Sequence, residues 1–111
     1  NVIWQGDMNA MVLRSLIQCS SPAKIINITG VKILSVREVT LEFGKLLGKT
    51  PILTGKEAPT ALLSNPAFSY DLFSVSEVPH TQMIKWIADW ISHENRILNK
   101  QTHYEVRDGK Y

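Results

Sequence analysis

The stretch from Ser35 to Pro51 constrains this chain more than any other, because it holds the start, the apolar stripe and the stop of one helix. Ser35-Val36-Arg37-Glu38 is a capping box, in which the Ser35 hydroxyl accepts from the amide of residue 38 and Glu38 reaches back to the amide of residue 35. Val36, Val39, Phe43, Leu46 and Leu47 then fall on one face. Gly48 supplies a left-handed cap and Pro51 ends the pattern. A helix over residues 36–47 follows, and its apolar face requires other elements to cover it.

The remaining segments read as alternating strands and helices. Val2-Ile3-Trp4 is strand-like, Asp7 stands where an N-cap belongs, and Met8, Met11, Val12, Leu16 and Ile17 recur at helical spacing, which predicts a helix over 8–19. Lys24 to Thr29 is β-branched and closes at Gly30, and Pro51 to Thr54 is a second short strand ending at Gly55, with Ala58-Pro59-Thr60 as loop. Asn65 caps a short helix opened by Pro66 and carrying Tyr70, Leu72 and Phe73. The last helix begins near Pro79, with Val78 as a staple, and its stripe of Met83, Ile84, Trp86, Ile87, Trp90 and Ile91 reads as core. The expected fold class is therefore α/β: a small mixed domain of about four helices and two or three short strands, the first strand orphaned from a larger sheet. Residues 1–94 form the domain and 95–111 a polar C-terminal tail.

Composition narrows the function classes. The chain has 111 residues, 44% hydrophobic and 20% charged, with 12 Lys plus Arg against 10 Asp plus Glu and a net charge of +2. One domain of this size is expected to bury roughly 65% of its unfolded surface. So even a mixture of charge argues against a nucleic-acid or membrane-surface binder. No apolar run approaches the ~20 residues of a membrane span. A lone Cys19 and the lack of a charged-then-apolar leader place the chain in the cytoplasm. Asn1, without a preceding Met and inside a strand-like run, reads as a cut point in a longer protein.

The chemistry-bearing patterns are mostly negative. The glycines form neither GxGxxG nor a P-loop, and His80, His93 and His103 have no metal-ligand spacing. Ser20-Ser21 has no nucleophile elbow, and Glu42 reads as a surface partner of Lys45, not a general base. The tryptophans of the last helix could stack a ligand, but at helical spacing they read more simply as packing. Lysines 24, 32, 45, 49 and 56 could collect near one end of the strands and attract a phosphate, or serve solubility. No catalytic, cofactor-binding or metal residue is read from these patterns.

Five pieces in order do resemble a known family. The run Asn1 to Leu16, with Val2-Ile3-Trp4 leading to Asp7, is similar to a segment of the NAD-dependent epimerase/dehydratases, the extended short-chain dehydrogenase/reductases. Ile26-Asn27-Ile28-Thr29-Gly30, Leu34-Ser35-Val36-Arg37-Glu38 and Leu47-Gly48-Lys49 match the pieces that come next. A helix like Asn65 to Phe73 and a tryptophan-bearing last helix like Met83 to Ile91 extend the likeness over residues 1 to 92, and the ending His103 to Tyr111 resembles bacterial members.

The resemblance implies a C-terminal, substrate-binding portion, normally appended to a Rossmann domain that holds NAD or NADP and a Tyr-x-x-x-Lys pair. Neither is in this chain: Tyr70 is followed four residues on by Ser74, and Tyr104 by Asp108. The isolated piece is then inactive, and its parent would act on a sugar nucleotide or another hydroxy or carbonyl compound, with hydride transfer at the nicotinamide. The resemblance gives Asn1, Trp4 and Gln5 as substrate-contact candidates, joined by Thr60 in the 60–64 loop. Trp4 reads more simply as packing the junction between the two domains. The partners implied are the chain's own missing Rossmann domain, the small-molecule substrate, and a second copy held through exposed apolar surface at Trp4 or along helix one. The alternative is a free-standing α/β module that binds a small ligand or a protein without catalysis.

Overall fold

The hydroxyl half of the capping box at Ser35 and the left-handed stop at Gly48 form, whereas the return bond from the Ser35 amide to the Glu38 carboxylate does not. In the structure, a computed structural model that describes residues 1–73 and 78–100, a helix spans Val36–Leu47. The Ser35 hydroxyl accepts from the Glu38 amide at 3.4 Å, and Gly48 closes the helix at φ 63°, a left-handed conformation that costs glycine little. In chain order the helices are α1 (Gln5–Ser15), α2 (Val36–Leu47), α3 (Ala67–Phe73) and α4 (His80–Ser92). A 3-10 turn over Leu16–Gln18 prolongs α1.

No strand forms among the described residues, which corrects the α/β expectation: this part of the chain is helical. The three strand-like segments are non-helical, but none finds a neighbouring backbone to pair with. A strand needs an edge to bond to and a face to bury. Ile25 stays 88% exposed and Ile52 87%, so the β-branched pattern of Lys24 to Thr29 and Pro51 to Thr54 has no sheet to join.

The start of the first helix is also corrected. Helix α1 begins at Gln5, with Trp4 in the cap position and no side chain capping it. Asp7 lies inside the first turn, buried at 8% exposure, and its Oδ2 accepts from the Val78 amide at 2.7 Å. Two turns on, Arg14 donates through Nη1 to the Phe73 carbonyl at 2.8 Å. Residues seven apart share a helix face, so α1 holds the last residue of α3 with a cation and the approach to α4 with an anion. Each charge matches the helix end it meets. Asn65 Oδ1 accepts from the Ala67 amide at 3.0 Å, the cap expected for α3, which begins one residue after Pro66.

Packing pairs α2 with α4 and α1 with α3. Among the described residues the buried apolar side chains are few: Met11 on α1, Phe73 on α3, and Ile84 and Ala88 on α4. The reading of the whole α4 stripe as core fails here. Ile84 is 7% exposed, whereas Trp90 is 51% and Ile91 46% exposed. Many large apolar side chains of the described residues stay exposed, Leu13 at 68% and Ile17 at 84% among them. Residues 95–100 are exposed and irregular, and the rest of the tail, with Tyr104 and Asp108, lies outside the described residues, as does Ser74.

Candidate functional site

A non-helical segment, Gly30 to Ser35, with a bend at Val31 and Lys32, runs into the start of α2 and borders two cavities. Val31 and Ile33 line one cavity, and Lys32 and Leu34 line the other.

The first of these, about 380 Å³, lies against α3. Its walls are Val31, Ile33 and Leu63, and α3 contributes Ala67, Tyr70 and Asp71, the three- and four-residue spacing of one helix face. Asn1 closes one side. Its Nδ2 donates to the Ser64 carbonyl at 2.8 Å, and its own carbonyl accepts from the Thr29 hydroxyl at 3.3 Å. Beneath, the buried Ser69 hydroxyl donates to the Pro66 carbonyl at 2.8 Å, which keeps that polar group satisfied within the helix. The lining is mainly apolar, with hydroxyl, amide and carboxylate groups at its margin. Such a lining holds the carbon skeleton of a small ligand and orients its polar groups.

Of the four substrate-contact candidates, Asn1 alone lines this cavity. The 60–64 loop reaches it through Leu63 and Ser64, while Thr60 is exposed and away from it. Gln5 is exposed at the start of α1. Trp4 packs on α4 instead: its ring lies 5.8 Å from that of Trp86, tilted by 59°, and covers Gly6. Among the lining residues that the candidates omit are Val31, Ile33, Tyr70 and Asp71. The signal for the first two was the apolar-polar alternation Val31-Lys32-Ile33, bounded by Gly30 and Ser35.

The second cavity, about 330 Å³, lies between α2 and α4. Lys32 and Lys45 meet there, two of the five lysines that could have gathered, but Glu38 and Glu42 share the walls and offset them. Lys32 Nζ lies 3.2 Å from His80 Nε2. The expected pair of Glu42 with Lys45 does not form; among the described residues Arg37 pairs with Glu57 at 2.8 Å, and His93 Nδ1 lies 3.4 Å from Asp89 Oδ1. Among the described residues no three His, Cys, Asp or Glu side chains gather as a metal site would need, Cys19 is free and exposed, and no helix is long and apolar enough to cross a membrane. Comparison with family models, curated proteins and solved structures finds no match to this chain.

Proposed function

We propose that this chain is the substrate-binding portion of a cytoplasmic NAD(P)-dependent epimerase/dehydratase of the extended short-chain type, without catalysis of its own, and that the cavity at α3 receives the substrate. One observation carries the reading. Asn1 and the 60–64 loop, drawn from segments 63 residues apart, meet at a 2.8 Å hydrogen bond and border one small, open, mainly apolar cavity. The ordered likeness of residues 1 to 92 to that family supports it from the sequence side. The half-covered tryptophans of α4 add the kind of surface on which a second domain packs. In this reading the cofactor and the acid-base tyrosine belong to the Rossmann part, and the present chain supplies walls and orienting groups.

The test is NADH and NADPH binding by calorimetry, run on this 111-residue chain and on the full-length product of its gene. Binding to the longer protein alone is the expected result. Binding to neither overturns the dinucleotide reading and leaves a free-standing binding module.

A further inference from the structure

The cavity between α2 and α4 carries charges of both signs that do not meet each other. Lys32 and Lys45 line it together with Glu38 and Glu42, around a space of about 330 Å³. Ion pairs among the described residues lie elsewhere, at Arg37 with Glu57 and at Asp89 with His93, so none of these four side chains stands within 4.0 Å of an opposite charge. Lys32 Nζ lies instead 3.2 Å from His80 Nε2. An ammonium only donates, so the imidazole meets it with a lone pair and leaves its charge uncancelled.

The helices fix the order of these groups. The contact of Lys32 with His80 brings the start of α2 beside the start of α4, where Ser35 and Thr81 add hydroxyls. The Ser35 hydroxyl accepts from the Glu38 amide and keeps its own proton to donate. Glu38 and Glu42, four residues apart, share one face of α2, about one and two turns further in. Lys45 stands about one turn beyond Glu42. Leu34, Val39 and Ile84 supply apolar wall between the two helices. A cationic, hydroxyl-bearing end is thus followed by acidic walls over an apolar floor.

We propose that this cavity binds a small zwitterion with an apolar side chain, a free α-amino acid of about the size of leucine. Its carboxylate takes Lys32, Ser35 and Thr81 as partners, and its ammonium sits against Glu38 and Glu42. Such a ligand gives both sets of charges the partner they lack, whereas a ligand with one charge serves one end only. Lys45 repels the ammonium from the far end and holds it beside the two carboxylates. Lys32, Glu38 and Lys45 are exposed and Glu42 is half-buried, so each contact has the strength of a surface pair and the affinity is of millimolar order. This is a second site, apart from the cavity at α3, and it stands whether or not the chain belongs to a dinucleotide enzyme.

The experiment is a protein-observed NMR titration of the whole chain with three probes of one carbon skeleton. Leucine carries both charges, 4-methylpentanoate lacks the ammonium and isoamylamine lacks the carboxylate. Leucine is expected to shift the amides of residues 32–42 and 80–84, and each single-charge probe to bind there about threefold to fivefold more weakly. Glu38→Gln should weaken leucine about threefold and leave 4-methylpentanoate no weaker; Lys32→Gln should weaken leucine about threefold and leave isoamylamine no weaker. A single-charge probe that binds as tightly as leucine overturns the proposal. So does leucine that leaves these amides unmoved or shifts only those of residues 63–71. A variant that weakens all three probes alike also overturns it, because a structural role and not a charge contact would then be lost.

Discussion

Asp7 shows how one side chain can be rightly singled out and wrongly placed. A short acidic residue ahead of an apolar stripe is a local N-cap signal, but the group it serves is the amide of Val78, 71 residues away, which no local pattern reveals. Removing the carboxylate leaves that amide without its partner in a part-buried position. Asp7→Ala is expected to lower stability by about 1–3 kcal/mol, and Asp7→Asn by less because its amide oxygen still accepts. Urea titration of the two variants against the parent checks the order, and equal losses would mean that charge, not acceptance, is what Val78 needs. Gly6 is constrained in a different way. A Cβ there would stand 2.3 Å from the Trp4 ring, so Gly6→Ala must displace the indole that rests against Trp86. A change in tryptophan emission and near-ultraviolet dichroism is expected; an unaltered spectrum would show that the pair tolerates the shift.

The elements differ in how much of their cause is local, and that difference decides which were legible. Helix α2 carries its own cap, stripe and stop, so its limits could be read from thirteen consecutive residues and the glycine after them; the N-cap of α3 at Asn65 is of the same kind. A strand has no such autonomy. Lys24 to Thr29 has the right composition, yet its hydrogen bonds must come from a second segment that the described chain does not bring alongside. The cavity at α3 was half legible for the same reason: Asn1 could be singled out, while Tyr70 and Asp71 became its neighbours only through tertiary packing. Local cause also has a measurable size. Ser35→Ala is expected to cost about 1 kcal/mol through the lost cap. Gly48→Ala should cost a similar ~1 kcal/mol with no steric part, because nothing lies within 4 Å of the added carbon and only the left-handed backbone resists it. On α4, where position decides, Ile84→Ala should cost about 2–4 kcal/mol and Ile91→Ala less than about 1 kcal/mol. Thermal melts of the four variants separate these expectations, and an equal loss at positions 84 and 91 would show that the outer face of α4 is covered in solution.

For the molecule as a whole, the apolar arc of α4 is wider than the part that α2 covers. Ile84 and Ala88 are enclosed, Trp86, Ile87, Trp90 and Ile91 remain about half exposed, and Leu13, Leu16 and Ile17 are more exposed still along α1 and its 3-10 extension. A folded chain that already exposes these side chains has less surface left to release on unfolding. The denaturant slope scales with that release, so the urea m-value should fall near the low end of the ordinary range, about 1 kcal/mol/M. The same exposed face should bind a hydrophobic dye in the native state, since patches of this kind are rare on self-sufficient monomers. Both effects should diminish under any condition that buries the arc, because its burial adds to the cooperative transition. If the isolated chain instead unfolds steeply and excludes the dye, the arc is covered already. Repeating the titration across a hundredfold range of protein concentration would then show whether a second copy covers it, by a midpoint that rises with concentration.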